Sequence, residues 1–429
     1  MVAVTSQADQ RLLERARRVL PGITQTYSKA PDQHVPGVYP AYLVRGDGCR
    51  VWDLEGHEYI DYPCALGPVV LGYRDPEVDL AVHAQVDRGP SFSLGTPLEV
   101  EVAELVVEMV PSAEMVRFVK TGSEATSAAV RLGRAFTGRD HVAMCGYHGW
   151  HEWCVGHTPR NAGVPEAVRA LTHQWAYNDL DSLRGVLARY PEQVGVVIME
   201  PVGVEEPQPG FLEGVRSLAH EAGALLIFDE VITGFRLARG GAQEHFGVSA
   251  DLAAFGKAVA NGYPLGLVAG RADVMELVTS ATFVSGTFGG EAVSLAAARA
   301  TLEKLRREPV CEHLWRQGAV LRDRFNQLAA AHEVPARMVG LAPRRVLEIA
   351  PHDGVDASAL KGLIWQGCID RGVLLGNANF VSYAHDDAAV AHTVEAFEYA
   401  LAEAGAALRR NDVRETLRGL PPGEVSRRP

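Results

Sequence analysis

Between residues 115 and 269 the chain returns again and again to short, mostly apolar runs: Met115 to Val119, Val194 to Met199, Ala224 to Phe228, Leu252 to Phe255 and Leu265 to Ala269. Runs of four to six apolar residues have the length of strands, and apolar positions on both alternating faces predict strands covered on both sides. Helical spacing fills the gaps. Pro97 to Met109 precedes the first run, and after residue 122 the apolar positions Ala129, Leu132 and Phe136 keep a 3.6-residue period until Gly138 stops it. The pattern predicts an α/β fold around a parallel sheet with helices on both faces.

The flanks read differently. Leu12, Leu13, Ala16, Val19 and Leu20 lie at helical spacing before Pro21-Gly22, which predicts an amphipathic docking helix. From Ala41 to Tyr62 the period shortens, with turns at Gly46-Asp47-Gly48 and Glu55-Gly56, and predicts a small antiparallel meander. Past residue 310 helices dominate, with strand-like Arg345 to Ile349 and Val373 to Leu375, then a long helix from Asp387 to about Arg409. The segment after Asn411, with Pro421-Pro422-Gly423 and terminal Arg427-Arg428-Pro429, reads as a loosely held tail.

Composition narrows the class of function. The chain has 429 residues, 47% hydrophobic and 22% charged, with a formal net charge of -12. That balance suits a globular enzyme for small molecules and argues against a general nucleic-acid or membrane-surface binder, which would present a basic face. The cysteines Cys49, Cys64, Cys145, Cys154, Cys311 and Cys368 form no C-x-x-C pair, so free thiols in a reducing, cytoplasmic compartment are expected. The N-terminus carries Asp9, Gln10, Arg11 and Glu14 where a signal peptide needs an apolar core, and no run has the length of a membrane span.

The chemistry gathers where the apolar runs end. Leu252 to Phe255 delivers Gly256-Lys257, and a lysine beyond the carboxyl end of a strand stands where open α/β sheets bind ligands. Partial burial disfavours its ammonium form and makes it an amine able to condense with an aldehyde. Met115 to Val119 runs into Lys120-Thr121-Gly122-Ser123-Glu124, where Thr121 and Glu124 have capping-box spacing and leave the N–H groups of Gly122 and Ser123 for a phosphate. Asp229 follows the Ala224 run, and a carboxylate there needs a cationic or donor partner such as a protonated pyridine nitrogen. Glu200 ends the Val194 run, and Cys145-Gly146-Tyr147-His148-Gly149-Trp150-His151 places aromatic rings after another short apolar run. Two other readings compete. Asp229-Glu230 with His148, His151 and Glu152 are metal-ligand types, as in a metal-dependent hydrolase, although Gly149 and Trp150 suit a loop better than a ligand helix. A cofactor-binding protein without turnover would keep the same residues. The phosphate loop of nucleotide hydrolases and the dinucleotide-binding glycine pattern are both missing. An aldehyde for Lys257, a phosphate for a helix end, a pyridine nitrogen for Asp229 and a flat ring for an aromatic face describe one cofactor, pyridoxal 5'-phosphate.

With Asp229-Glu-Val231, Gly256-Lys257 and Thr121-Gly-Ser-Glu in place, the chain resembles the class III, fold-type I aminotransferases from about residue 35 to 400, and within them the branch around glutamate-1-semialdehyde aminomutase. The resemblance implies a large domain with a mostly parallel seven-stranded sheet over residues 65–310, and a small α+β domain built from residues 1–64 and 311–429. It implies that Lys257 forms the Schiff base, Asp229 pairs with the pyridinium, Val231 packs under the ring, Tyr147 stacks over it, and Gly122 and Ser123 hold the phosphate, with Glu200 also at the cofactor. Thr287 of Gly286-Thr287-Phe288 would reach the neighbouring active site of a homodimer. Where the aminomutases resemble Tyr-His-Gly-His, this chain has Tyr147-His148-Gly149-Trp150, and where they carry a late glutamate it has Asn377. Those departures favour an ordinary two-substrate aminotransferase using a donor such as L-glutamate over the intramolecular aminomutase. Trp150, Asn377 and Asn379 would suit a hydroxyl-rich acceptor, such as an amino-sugar intermediate of antibiotic biosynthesis.

Overall fold

The computed structural model describes residues 7–423. The chain divides into two compact units, one formed by the chain up to Asp75 and again from Glu312, the other by Pro76–Cys311.

In the first unit the helix Gln7–Val19 buries Ala16, leaves Leu12, Leu13 and Leu20 half-buried and leaves Val19 73% exposed. Its apolar stripe is therefore only partly covered within the chain. The predicted meander is present as β1 (Leu43–Asp47), β2 (Arg50–Asp53) and β3 (Glu58–Asp61), paired antiparallel in that order.

The second unit holds β4 (Met115–Val119), β5 (His141–Cys145), β6 (Thr172–Gln174), β7 (Val194–Met199), β8 (Leu225–Asp229), β9 (Leu252–Phe255) and β10 (Gly266–Gly270). They form one seven-stranded sheet in the order β4-β10-β9-β8-β7-β5-β6. β5 to β9 pair in parallel with their neighbours, whereas β10 is antiparallel to both β9 and β4. The reversal has a local cause. The link from β9 to β10 contains only the short turn Lys257–Ala260, and a parallel return needs a crossover of a dozen residues or more.

Every residue of β7, β8, β9 and β10 is buried, as their unbroken apolar texture requires. Alternate positions face opposite layers. Val196, Ile227, Ala254 and Val268 pack with Ala125, Ala129 and Leu132 of the helix Gly122–Thr137, while Val197, Leu226 and Phe228 pack with Phe211, Leu212 and Val215 of the helix Phe211–Glu221. Each such large apolar side chain contributes roughly 1.5–3 kcal/mol by leaving water. The two layers fix the sheet, and the sheet fixes where its strand ends point.

The C-terminal part of the first unit adds β11 (Ala336–Val339), β12 (Arg344–Ile349), β13 (Val373–Leu374) and β14 (Asn379–Phe380). β13 joins β3 in parallel, so the two ends of the chain complete one sheet, and β11-β12-β14 form another. The helix Asp387–Arg410 lies on the helix Ala357–Ile369, where a Cβ on Gly367 would come within 2.7 Å of the Ala400 Cα, so the contact needs a glycine. The tail departs from expectation. Leu417 is buried, Arg418 N donates to Gln366 Oε1 (2.8 Å), Leu420 N to Pro36 O (3.1 Å) and Gly423 N to Asp32 O (2.7 Å). Backbone hydrogen bonds, which composition does not register, pin the tail through its proline pair; Arg427, Arg428 and Pro429 lie outside the described residues. No helix among the described residues is long and apolar enough to cross a membrane.

Candidate active site

The carboxyl ends of β4 to β9 share one edge of the seven-stranded sheet, and only β10 ends at the other. β9 and β8 run in parallel with Asp229 opposite Ala254, so Asp229 ends β8 beside the turn that begins at Lys257. β4 and β9 both run antiparallel to β10, with Val119 opposite Gly266 and Phe255 opposite Leu267. The chain after Val119 therefore emerges beside the chain after Phe255. Two strands that the sequence separates by more than a hundred residues thus place Gly122-Ser123 and Lys257 on the same edge.

Side-chain packing closes that juxtaposition. A Cβ on Gly122 would stand 2.8 Å from Val231 Cγ1, and one on Gly256 would stand 3.6 Å from the same atom and 3.9 Å from the Gly122 Cα. Val231, the helix end and the lysine turn thus meet at a single point. Lys257 is half-buried and has φ of +44°, a left-handed conformation that costs a non-glycine residue of order 1 kcal/mol. The fold holds the lysine in a backbone state it would not choose.

The helix Gly122–Thr137 begins with a complete capping box. Thr121 Oγ1 accepts from Glu124 N (3.2 Å), and Glu124 Oε2 accepts from Thr121 N (2.9 Å) and Lys120 N (2.8 Å). These bonds spare the N–H groups of Gly122 and Ser123, which remain at the positive end of a 16-residue helix and suit a phosphate. Gly149 has φ of +111°, and a Cβ there would come within 2.4 Å of Ser123 Oγ, so only glycine lets the loop after β5 close on this helix. Trp150 N donates to Ser123 Oγ (3.4 Å) and Thr126 Oγ1 donates to His148 O (2.7 Å).

Asp229 is 6% exposed, and its two oxygens are oriented by the protein: Oδ1 accepts from Val231 N (3.1 Å) and Oδ2 faces His148 Nδ1 (2.8 Å). His148 Nε2 lies 3.0 Å from Cys145 O, a carbonyl that only accepts, so Nε2 carries a proton. The proton of the Nδ1–Oδ2 contact is then shared by the pair, which is an ion pair when that proton resides on the ring. Asp229 keeps lone pairs for one more donor, such as a protonated ring nitrogen.

Glu230 turns the other way. It is fully buried, and its carboxylate accepts from Thr233 Oγ1, Ala242 N (2.8 Å) and Gln243 N (3.0 Å) at the start of the helix Gly241–Phe246. His151 Nδ1 meets Ser127 Oγ (2.7 Å), away from His148. The residues weighed as metal ligands therefore diverge: Asp229 and His148 face one another, whereas Glu230 and His151 have separate partners. Glu200 follows β7 directly and lies beside Gly146, with its Oε1 3.8 Å from the position of a Cβ on that glycine. Burial and the Glu200 carboxylate push the Cys145 thiol up to about 12. Tyr147 packs half-buried against the layer that includes Ala125 and Val130.

Thr287 is exposed, between Phe283 and Phe288, which are also exposed, on a segment held by Arg117 through Val284 O (Nε 3.0 Å, Nη2 2.6 Å) and by Arg131 through Phe283 O (3.0 Å). Asn377 and Asn379 belong to the other unit. Asn377 Oδ1 accepts from Lys361 Nζ (2.6 Å), and the Asn379 amide is spent on both sides of Gly376, accepting from its N and donating to its O at 2.9 Å. His148 as the partner of Asp229 is the main residue that sequence reasoning missed. The need of a buried carboxylate for a partner was a signal, but the order of β5, β7 and β8 that brings the histidine to it is not written locally.

The edge thus assembles an amine, an anion-binding helix end, a held carboxylate and an apolar floor, which fit pyridoxal phosphate group by group. The comparisons with known proteins agree. The family described as aminotransferase class-III matches residues 32–397. The chain is 35% identical to the 3-aminobutyryl-CoA aminotransferase of Cloacimonas acidaminovorans over 401 residues, covering 91% of this chain and 96% of that one. It is 38% identical to the glutamate-1-semialdehyde 2,1-aminomutase of Syntrophobacter fumaroxidans over 422 residues, covering 92% and 97%. Among solved structures it is similar to the pyridoxal-phosphate internal aldimine form of the Sphingopyxis sp. MTA144 FumI protein, with a TM-score of 0.88, 32% identity and coverage of 97% and 99%.

Proposed function

The chain belongs to the class III aminotransferases and depends on pyridoxal phosphate, and from that premise we propose that it moves an amino group from a donor such as L-glutamate to an aldehyde or ketone acceptor. One observation carries the reading: Gly122, Val231 and Gly256-Lys257 meet at one point of the strand edge that also bears Asp229.

When bound, pyridoxal phosphate supplies an aldehyde that condenses with amines and a protonated ring that accepts the electron pair left when the substrate Cα–H bond breaks. The chain's own residues then have the following tasks. Lys257 would hold the aldehyde carbon of the bound cofactor, and its amine, when free, would take the proton from the substrate Cα. Asp229 keeps the proton on the ring nitrogen, and His148 keeps Asp229 oriented and compensated. Gly122 and Ser123 would hold the phosphate, Val231, which packs against Gly122 and Gly256, would support one face of the ring and Tyr147 the other, with Glu200 beside Gly146 also at the cofactor.

A second copy is part of the proposal. Phe92, Leu94, Phe283 and Phe288 are exposed, and Ala292 N donates to Pro90 O (2.9 Å), tying the two segments that carry them. Exposed aromatic side chains on tied segments support a homodimer in which Thr287 serves the neighbouring site. The six free, buried cysteines support a cytoplasmic location. The domain limits 1–64, 65–310 and 311–429 remain part of the same reading. An amino-sugar acceptor, as in antibiotic biosynthesis, would draw on polar groups; with Asn379 spent in its own turn, Trp150 and Asn377 are the residues that still support it. The intramolecular aminomutase is the second reading, favoured by the similarity to the Syntrophobacter protein.

The deciding experiment is the visible absorption of the purified protein before and after L-glutamate. The yellow band of the lysine-bound cofactor is expected to give way to the pyridoxamine form with release of 2-oxoglutarate. Lys257→Ala should lack that band and lower kcat by about 10³-fold or more, since it removes the proton carrier as well as the amine. A wild-type band that persists with L-glutamate and changes with glutamate 1-semialdehyde would establish the aminomutase; the absence of any band after cofactor addition would end both readings.

A further inference from the structure

The loop that closes on the phosphate-binding helix carries a second pair of side chains, and both meet one hydroxyl of that helix. Trp153 Nε1 lies 2.8 Å from Ser127 Oγ, and Ser127 Oγ lies 2.7 Å from His151 Nδ1. An indole N–H only donates, so the Ser127 oxygen accepts it. The hydroxyl has one proton and two lone pairs, so it either donates to His151 Nδ1 or accepts from it as well. In the first arrangement the ring proton of His151 lies on Nε2.

Position makes this tautomer useful. Ser127 lies one helical turn after Ser123, and the loop is stitched to that turn by Trp150 N to Ser123 Oγ and by Thr126 Oγ1 to His148 O. The His151 backbone is fixed as well, since its carbonyl accepts from Cys154 N and Val155 N, both at 2.9 Å. The ring is half-buried, and its Nε2 has no protein partner among the described residues. Trp150 stands edge-on to it, with centroids 5.0 Å apart, and is 69% exposed. A large indole left in water beside an oriented N–H is a half-built binding surface: an apolar wall and one donor.

We propose that His151 is a specificity-determining residue, whose Nε2–H binds an oxygen, best a carboxylate oxygen, carried by the substrate several bonds from its reacting carbon while the intervening chain lies on Trp150. The proposal rests on the aminotransferase reading. It names a substrate class, carbonyl compounds or amines with a distal oxygen acceptor, and gives Ser127 and Trp153 a role in setting the proton rather than in touching the substrate.

The test uses the holoenzyme in its amine-loaded form and two aldehydes of equal chain length, succinic semialdehyde and butanal, followed by return of the yellow band. Wild type is expected to prefer succinic semialdehyde by about 3- to 10-fold in kcat/KM, the worth of one hydrogen bond. His151→Ala should erase the preference through KM for succinic semialdehyde, with kcat and the butanal reaction unchanged. His151→Gln, which offers an N–H at similar reach, should keep part of it, and Ser127→Ala should weaken it by freeing the tautomer. Absence of any preference in wild type, equal loss on both aldehydes in His151→Ala, or loss of cofactor absorption in that variant would overturn the proposal. Failure of the aminotransferase reading looks different, since the amine-loaded form would then not arise from any amino donor.

Discussion

Two helix N-termini in the second unit face opposite demands. The helix Gly241–Phe246 starts against Glu230, whose buried carboxyl accepts from Ala242 N and Gln243 N, so the protein supplies its own acceptor there. The helix Gly122–Thr137 starts with a capping box that serves Lys120, Thr121 and Glu124 and keeps Gly122 and Ser123 out of it. Both ends are favourable for negative charge. One is closed from inside and contributes stability; the other is kept open for a visitor. The same division separates adjacent residues at the end of β8, because Glu230 is sealed into the first helix end while Asp229 faces His148 and the strand edge. A binding site is therefore recognised by which satisfied motif leaves donors over, rather than by the motif itself.

The largest effect expected from this contrast is at Asp229. Asp229→Asn keeps the size and the backbone contact but cannot compensate a proton on the ring nitrogen or on His148. kcat should fall by at least about 100-fold with the cofactor still bound, the scale seen when a preorganised charge is removed from a reacting centre. Steady-state kinetics at saturating cofactor, beside a thermal melt that moves little, would check it. A loss below tenfold would mean that Asp229 is a structural residue like its neighbour, and the contrast would fail.

Glu230→Gln should do the reverse, leaving kcat of the folded enzyme within about twofold and lowering stability by roughly 1–3 kcal/mol, because a buried backbone donor loses its acceptor. Its pH dependence sharpens the point. Burial raises the Glu230 carboxyl to about 7, against the opposing pull of Thr233, Ala242 and Gln243. A carboxyl that binds its proton more tightly in the folded state favours folding when protonated, so this contribution is present below about pH 4.5, is lost as pH rises toward 7 and then stays constant. The change is about 3 kcal/mol at 1.36 kcal/mol per unit. Denaturant melts across that window should show a steeper decline for wild type than for Glu230→Gln; parallel curves would place the titration elsewhere.

What the sequence disclosed follows from which interactions are local. The apolar runs of β4, β7 and β9 are legible because strands buried on both faces need no long-range information to look like strands. The capping box at Thr121 and Glu124 is legible because its partners are three residues apart. The short strand β6 and the pairing of β3 with β13 depend on sheet order, which no local pattern encodes. The same limit hid the role of His148, whose carboxylate partner is 81 residues away, and made the proline-containing tail look loose although Asp32 and Pro36 hold it. Asn379 misled for a different reason. A polar residue near a presumed pocket reads as a ligand contact, but its amide is used on both sides by Gly376.

The smallest expected effect probes the open helix end directly. Ser123 Oγ accepts from Trp150 N, which leaves its own proton for a phosphate oxygen, next to the N–H groups of Gly122 and Ser123 that no side-chain change removes. Ser123→Ala should therefore weaken cofactor binding by only about 3- to 10-fold, one hydrogen bond among several, with kcat nearly unchanged once the cofactor is saturating. Titrating the apoenzyme with pyridoxal phosphate and following the yellow band reads this as a shift in Kd. Glu230→Gln at the closed end should leave that Kd where it was. An unchanged Kd in Ser123→Ala together with a weakened one in Glu230→Gln would exchange the two helix ends, because the phosphate would then be bound where the protein was thought to supply its own acceptor.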